Sequence, residues 1–564
     1  MSTTALSATS AKLNGLLDTL LDAFFKNSPE AGAFLDWPRY RDEIFDLTKQ
    51  DEYLATCAHT AAELDLLDKS TLTEDEQNLI IMVKSFIKKE TLEARTISRK
   101  DMPATHMQGT IVGSWMQLVH ASAVKTVKDI ENFRSRLEKI APRMDQVIDG
   151  FRKGIESKYT LPIRSIDLLI KGCDGYITED PATNPWNIVK DVTAVGLPED
   201  FLHDAIRTSV VPAHKKLKTF LQDEYRQHAR KYDGIYGMPG SEEAYQDFIR
   251  IHTDSDVTAD ELHQLGLKEV ARIATEMEAT IAKLGFQGSI KDFINALNDK
   301  TQYPHLYIDN VDDIIPAYES LLKIIDAKMP AFFGKFPKDK CAIVAVPAHS
   351  EAGAPEAMYF PGTKEKPGKF LVNLSLAKGV PTHGMRALLL HEANPGHHHQ
   401  MSLALERDTD HDIRKLIFST AQVEGWGLYS ESLGVELGMY EDPLDWFGRL
   451  ELEMHRALRL VVDTGLHHLG WSVDKVKDSM RPYVSLSEST LENEAIRYAC
   501  MPGQALAYKY GEIKIQAMRA TAAKRLGDKF DLRAFHDVLM GLGTAPLDYF
   551  ETVVGKWVDA QLSE

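Results

Sequence analysis

Apolar residues recur at spacings of three and four along most of the chain, and this pattern restricts the fold to one dominated by helices. It is clear in residues 133–157, FRSRLEKIAPRMDQVIDGFRKGIES, and in residues 258–285, TADELHQLGLKEVARIATEMEATIAKLG. Such spacing places apolar side chains on one helix face and charged ones on the other. Thr258 and Glu261 match a capping box at the start of the second segment. The sequence therefore predicts a mainly α fold.

Three short strand-like runs lie close together in the second half of the chain. They are CAIVAVP at 341–347, AMYFPG at 357–362 and KFLVNLSL at 369–376, and segments rich in Pro and Gly separate them. They predict a small β-sheet element near residues 341–376, just before a histidine cluster. The last run is either an exposed edge that pairs with an extended peptide or an internal strand of a hairpin.

Length and charge limit the class of protein. With 564 residues, the chain is long enough for several cores or for one very large helical body. We expect an N-terminal helical region at 1–335 and a C-terminal helical, metal-binding and catalytic region at 336–564, which together form one body. The formal net charge of −18, from 65 basic and 83 acidic residues, argues against a nucleic-acid partner.

The N-terminal stretch MSTTALSATSAKLNGLLDTLLDAFFKNSPEAG lacks the basic start and the unbroken apolar core of a signal peptide. No stretch approaches the roughly 18 uncharged apolar residues that a membrane span requires. The four cysteines lie far apart without a CxxC spacing, which favours buried, reduced thiols. We expect a cytoplasmic protein with no membrane partner, and the sequence leaves a homodimer open.

The stretch LLLHEANPGHHHQ at 388–400 is the strongest candidate for chemistry. In the zinc-peptidase motif HExxH, two histidines four residues apart share a helix face, but here that position is Pro395. His397 is rotated by about 600° from His391 on an ideal helix, and His398 lies about 10.5 Å further along the axis. An unbroken helix cannot close a metal site from these residues. A break at 394–396, around Pro395 and its neighbouring glycine, would return His397 to the metal.

The alternative is a solvated histidine tract or a set of hydrogen-bonded core histidines. We favour the metal site because an apolar run precedes the histidines and acidic residues follow them. A catalytic zinc ion needs three protein ligands. Residues 419–434, STAQVEGWGLYSESLG, offer Glu424 and Glu431 seven residues apart on one helix face. We predict that Glu424 is the third ligand and that Glu431 orients a ligand histidine. A solvated acidic face is the alternative, which neighbours such as Trp426 disfavour.

Three motifs together resemble a large bacterial family that is catalogued as a domain of unknown function. They are HExxPGHHxQ from His391, EGWxLYxE from Glu424 and RYxxxPGQALAYK from Arg497, with KPGKFLVNL and RLVVDTGLHHLGWS as further matches within about 340–515. That family looks like a divergent branch of the gluzincin-type zinc peptidases. The resemblance implies a large helical body with a deep central groove, as in the neurolysin, angiotensin-converting-enzyme and thermostable-carboxypeptidase groups.

The resemblance also implies roles for individual residues. In those groups the glutamate after the first histidine is the general base, and a tyrosine from a late helix donates to the oxyanion. Carried over, Glu392 is the general base and Tyr498 is the donor. The two residues inserted between the histidines leave open whether His397 or His398 is the second ligand, with the other beside the site.

Further polar residues complete the predicted site. Arg459, Asp463 and His467 lie four apart on one helix face, so Asp463 could orient His467 toward the reaction intermediate, or the three could form a structural ion-pair ladder. Candidates for binding a substrate carboxylate or the oxyanion are Arg497, Tyr508 and Lys509, and Gln504 enters through its motif. Arg497 and Lys509 could instead neutralise acidic neighbours.

The sequence thus predicts a hydrolase with one Zn²⁺ ion that cleaves an amide bond in short peptides or peptide-like small molecules. The ion would lower the pKa of water, and Glu392 would take the proton and pass it to the leaving nitrogen. One alternative is a zinc hydrolase of a lactone or an acylated metabolite. Another is a non-catalytic helical binding protein.

Overall fold

The computed structural model describes residues 7–35, 37–96, 101–105, 115, 124–347, 355–362, 367–407 and 411–563. The chain divides into two compact units, Met1–Asp247 with His411–Arg414 and Phe248–Asp410 with Lys415–Glu564. Helices dominate both units, which confirms the mainly α fold. The functional division at residue 335 and the central groove stay predictions. Within the described ranges, no helix is both long enough and apolar enough to cross a bilayer.

The first unit is built around one long helix that carries a continuous apolar face. This helix, Val127–Ser157, contains the predicted segment 133–157 and buries Phe133, Leu137, Met144 and Phe151. The helices of the first unit are α1 (Ala8–Asn27), α2 (Pro29–Phe34), α3 (Gln50–Asp65), α4 (Glu74–Arg95), α5 (Val127–Ser157), α6 (Ile163–Asp174), α7 (Val189–Ala194), α8 (His203–Ala205) and α9 (Val211–Phe220). Helix α10 (Ser241–Thr253) contains the division between the units.

The second unit contains the predicted chemistry. Its remaining helices are α11 (Ala259–Lys283), α12 (Ile290–Leu297), α13 (Ile314–Lys328), α14 (Leu374–Ala377), α15 (Met385–Glu392), α16 (His397–Glu406), α17 (Thr420–Leu433), α18 (Pro443–His467), α19 (Val473–Met480), α20 (Glu488–Cys500), α21 (Ala507–Leu526), α22 (Leu532–Gly541) and α23 (Leu547–Ser563). Both bonds of the predicted capping box at Thr258 and Glu261 are present at the start of α11. Helix α18 packs along α11, and α17 packs along α21.

A three-stranded sheet precedes the histidine cluster, as predicted. Its strands are β1 (Ala342–Ala345), β2 (Ala357–Phe360) and β3 (Lys369–Val372), in the order β1-β3-β2. Strand β3 pairs parallel with β1 and antiparallel with β2. The suggestion that KFLVNLSL offers a free strand edge is therefore wrong, because β3 has a hydrogen-bonded neighbour on each side. The other reading, an internal strand, holds for 369–372.

Candidate metal centre

The histidine cluster lies on two short helices separated by a break. Helix α15 ends at Glu392 and α16 begins at His397. A Cβ atom on Gly396 would collide with the main-chain oxygens of Leu390 and His391, so the chain turns back on α15 at a point where only glycine fits. The indole Nε1 of Trp426 on α17 donates to the Pro395 oxygen at 2.8 Å. The break thus lies where Pro395 and Gly396 predicted it.

The break brings two imidazoles and one carboxylate together. Nε2 of His391 and Nε2 of His397 lie 3.8 and 3.5 Å from Oε2 of Glu424. The two imidazole rings are nearly perpendicular, with centroids 4.7 Å apart. All three donor atoms lie within 4.8 Å of one another. Zinc bonds of about 2.0–2.1 Å in a tetrahedron place ligand atoms roughly 3.3–3.4 Å apart. The donor set therefore fits a zinc ion with little rearrangement.

His397, rather than His398, belongs to this group. Nδ1 of His398 accepts from the hydroxyl of Tyr359 at 3.1 Å, and its Nε2 donates to the Asp339 oxygen at 3.3 Å. Both ring nitrogens of His398 are thus directed at the region of the sheet. The sequence left His397 and His398 as alternatives. The break turns the ring of His397 toward Glu424.

Glu431 fixes the orientation of His391. Nδ1 of His391 donates to Oε1 of Glu431 at 2.7 Å, so Nε2 is left facing His397 and Glu424. This is the contact predicted for Glu431, and such carboxylate partners orient metal-binding histidines. Gly427 makes room for the ring, because a Cβ there would lie 2.7 and 2.8 Å from Cε1 and Nε2 of His391. On α18, Nη2 of Arg456 lies 3.8 Å from the same Glu431 oxygen.

Electrostatics favour a cation between these groups. Burial alone would lower the pKa of His391, but the neighbouring carboxylates of Glu424 and Glu431 raise it to about 9. Burial would raise the pKa of Glu424, whereas the two neighbouring imidazoles hold it well below its usual range. The carboxylate charges thus stabilise positive charge at this point, whether protons or a divalent ion supply it. Metal binding would release those protons.

Glu392 is the last residue of α15 and directly follows His391, a candidate ligand. It is partly buried, and its charge contributes to the raised pKa of His391. Its carboxylate forms no hydrogen bond with any residue in the described ranges. An uncommitted carboxylate beside the donor set is what the predicted general base requires.

Tyr498 lies in a polar network around Glu494. Its hydroxyl donates to Oε2 of Glu494 at 2.6 Å and accepts from Nε of Arg459 at 3.1 Å. His455 Nε2 lies 3.1 Å from the same hydroxyl oxygen. Arg497 donates to both oxygens of Glu494, at 2.9 and 3.1 Å, and Nη1 of Arg497 donates to Gln504 at 2.9 Å. The hydroxyl proton of Tyr498 is thus committed to an internal carboxylate.

Tyr508 is the tyrosine that is electrostatically linked to the donor set. Burial and, second, the charge of Glu424 raise the pKa of Tyr508. The guanidinium of Arg459 lies over its ring, 4.4 Å from the centroid. Gln504 Nε2 approaches the Tyr508 hydroxyl only at 3.5 Å, and within the described part of the chain no acceptor takes the hydroxyl proton. Tyr508 is therefore free to donate.

The other predicted site residues make structural contacts. Nε2 of His467 donates to the main-chain oxygen of Tyr498 at 3.0 Å, and Asp463 accepts the amide of Gly503 at 3.0 and 3.2 Å. Lys509 is buried and donates to Glu453 and Glu512, both at 2.6 Å. Lys509 thus neutralises acidic neighbours, the second of the two readings given for it. Arg497 does the same for Glu494.

The sequence motifs do not include three polar residues that lie near this network. They are His455 and Arg456 on α18 and Glu494 on α20. One pattern could have found the first of them. Extending the four-residue spacing of Arg459, Asp463 and His467 toward the N-terminus gives His455 and then Glu451. A second local pattern points to Glu494, because it stands three and four residues before Arg497 and Tyr498 on the same helix.

Together, the fold and the donor set define a helical protein with a candidate metal centre of two histidines and one glutamate. The chain belongs to the family described as "Bacterial protein of unknown function (DUF885)", which matches residues 29–554. A solved "putative lipoprotein" from Colwellia psychrerythraea is 26% identical with a TM-score of 0.89, covering 98% of this chain and 100% of that one. Another, from Shewanella oneidensis, is 18% identical with a TM-score of 0.74, covering 97% and 100%, and shows the fold alone. No curated protein matches the chain.

Proposed function

We propose that the protein is a zinc-dependent hydrolase that cleaves an amide bond in short peptides or peptide-like small molecules. One observation carries the proposal: the broken helix pair and α17 bring His391, His397 and Glu424 to within 4.8 Å of one another. Two imidazole nitrogens and one carboxylate oxygen form a donor set typical of catalytic zinc, which keeps one position open. The chain's further likeness to gluzincins and its cytoplasmic location are parts of this proposal.

The residues around the donor set have separate roles in the proposed hydrolysis. The ion, when bound, supplies Lewis-acid polarisation of the substrate carbonyl and a nucleophile at neutral pH. Glu392 accepts a proton from the nucleophile and returns it to the leaving nitrogen, since its carboxylate has no competing partner among the described residues. Glu431 holds His391 in the orientation that turns Nε2 toward His397 and Glu424.

The proposal assigns the donor to the developing oxyanion to Tyr508. A donor must have a proton to give, and the Tyr498 proton is already held by Glu494 at 2.6 Å. Tyr508 has an uncommitted proton and feels the charge of Glu424. The roles predicted for Tyr498 and His467 as direct participants stay predictions. Their contacts support a positioning role for Tyr498, because it holds Arg459, and for His467, because it holds the Tyr498 main chain.

Metal content and turnover test the proposal together. Purified protein should contain about one zinc ion per chain by mass spectrometry, since the donor set is one three-ligand site. A panel of di- and tripeptides, amino-acid amides and lactones should show hydrolysis of the peptides by chromatography. Glu392→Gln should retain zinc and lose about 100- to 10,000-fold in kcat, the usual share of a general base. Glu319→Gln, at an exposed position on α13, is the control and should keep full activity.

Three results would contradict the proposal. The first is protein without stoichiometric metal whose metal content does not change in His391→Ala. The second is full peptide turnover in Glu392→Gln. The third is turnover confined to lactones, which would replace the peptide substrate by a non-peptide carbonyl compound and keep the metal site.

A further inference from the structure

One face of α18 carries polar residues at four-residue intervals: Glu451, His455, Arg459, Asp463 and His467. Each interval advances about 6 Å along the helix axis. Two contacts locate the middle of this face relative to the donor set. Arg456 approaches Glu431, which holds His391, and the Arg459 guanidinium covers the ring of Tyr508. Arg459 lies three residues after Arg456, about 4.5 Å further along the axis.

The charges around Arg459 do not balance. Arg459 and Arg497 share the single carboxylate of Glu494. Arg497 uses both oxygens of Glu494, whereas Nη2 of Arg459 reaches only one of them, at 3.4 Å. His455 cannot add negative charge, and burial with the charge of Arg459 lowers its pKa well below its usual value. The network thus keeps about one uncompensated positive charge, and it is centred on Arg459.

Arg459 also keeps a free hydrogen-bond donor. Its Nε donates to Tyr498 and its Nη2 to Glu494, but Nη1 has no partner within the described ranges. Nη1 of Arg459 remains accessible to solvent. A largely buried guanidinium with an open donor is costly unless an anion completes it. A carboxylate suits it, since the planar guanidinium matches two carboxylate oxygens.

We propose that Arg459 binds a free carboxylate of the substrate, so that the enzyme acts on short peptides or peptide-like acids that carry a terminal carboxylate near the scissile amide. This inference rests on the proposed hydrolase function. The guanidinium of Arg459 stacks on Tyr508, the proposed oxyanion donor, and a carboxylate bound there would lie near the scissile amide. Arg497 and Lys509 are less suited to this role, because all three guanidinium nitrogens of Arg497 have polar partners and the Lys509 ammonium contacts three carboxylates.

Equilibrium binding tests the carboxylate site without relying on turnover. The zinc-loaded Glu392→Gln protein is titrated by calorimetry with Ala-Ala-Ala and Gly-Phe-Ala, each as the free acid and as its C-terminal amide. With Arg459 present, the acids should bind about 10- to 100-fold more tightly than the amides, as expected for a charge-assisted hydrogen bond. Adding Arg459→Gln should reduce this preference to less than about threefold, and Arg459→Lys should give an intermediate value because it keeps charge without the planar fork.

Arg519→Gln is the matched control, because Arg519 is a partly buried arginine of the same unit that pairs with Glu436. It should leave the preference for acids unchanged. Thermal unfolding checks that each variant is folded, and Glu494 keeps Arg497 as a partner in Arg459→Gln. Equal binding of acids and amides with Arg459 intact, an unchanged preference in folded Arg459→Gln, or no binding of any peptide would overturn the inference.

Different experimental results would disprove the carboxylate site and the hydrolase function. Tight, acid-selective binding without hydrolysis of any peptide by the wild-type protein would remove the hydrolase proposal and leave the carboxylate site in place. Hydrolysis of amides as fast as that of acids would keep the hydrolase and remove the carboxylate site.

Discussion

Glu431 decides which nitrogen of His391 faces the candidate ion. Its carboxylate is almost completely buried and accepts the Nδ1 proton of His391 at 2.7 Å. A buried carboxylate in this position keeps the ring from turning and increases the basicity of the opposite nitrogen. The residue would therefore act on a bound ion through His391, without being a ligand itself.

Removing the charge of Glu431 should weaken metal binding. We expect Glu431→Gln to lower zinc affinity by about 10- to 100-fold, because an amide is a poorer acceptor and does not fix the ring as firmly. Competition with a chelator of known affinity measures this. Glu436→Gln, which removes an exposed carboxylate paired with Arg519, should leave zinc affinity unchanged. Unchanged affinity in Glu431→Gln would show that His391 is held by other contacts.

At the level of elements, the break between α15 and α16 determines whether a metal site forms. It brings together two rings that an ideal helix would place on different faces. Gly396 is the point of closest approach, since any side chain there would meet the carbonyls of Leu390 and His391. The predicted break and its consequence for His397 follow from local chemistry alone, because Pro395 and Gly396 act on their own backbone.

A side chain at Gly396 should therefore disrupt the site. We expect Gly396→Ala to destabilise the fold by about 1–3 kcal/mol and to lower zinc affinity at least tenfold, because His397 moves away from Glu424. Chemical unfolding and metal competition measure the two effects. Gly384→Ala is the control, since a Cβ there meets no atom within 4 Å. Normal zinc affinity in a folded Gly396→Ala protein would contradict the role given to the break.

In the small sheet, the sequence pattern predicts the strands but not their order. The three strand segments were visible as apolar runs, but the order β1-β3-β2 was not. Strand order depends on which runs pair through space, and the hydrophobic pattern of KFLV suits an edge strand and a central strand equally. Phe370 and Val372 are fully buried in the central strand. Only the tertiary structure could remove the free edge.

At the scale of the whole second unit, buried charges tie three helices together. Glu453 on α18 pairs with Arg272 of α11, with Lys509 of α21 and with Arg449 one turn earlier on its own helix. The pairs Arg272–Glu453 and Lys509–Glu453 are 181 and 56 residues apart in sequence. Although burial would raise its pKa, these cations hold the pKa of Glu453 well below its usual value. Its interactions therefore stabilise the fold while it is ionised.

This cluster predicts acid sensitivity. Its cation partners lower the pKa of Glu453 from its ordinary value of 4.5, so its stabilisation is present above about pH 4.5 and is lost as the pH falls below that value. Glu453→Gln should cost about 3–5 kcal/mol at pH 7, because the buried Arg449 loses its carboxylate, whereas Lys509 keeps Glu512. Urea unfolding midpoints of wild type and variant are measured from pH 7 to pH 2.5, and the difference between them should become smaller below pH 4.5. The exposed Glu278→Gln is the control. A midpoint difference that does not change with pH would contradict the role given to ionised Glu453.

The sequence by itself determined the features that depend on short-range chemistry. Helical periodicity gave the mainly α fold, Pro395 and Gly396 gave the break, and the seven-residue spacing gave Glu424 and Glu431 on one face. Only the tertiary structure decided that Lys509 pairs with Glu453, that Arg459 contacts both Tyr498 and Tyr508, and that β3 is the central strand. The physical reason is that a hydrogen bond or ion pair depends on atoms within a few ångströms, and in these cases the folded chain brings the competing groups together from distant segments.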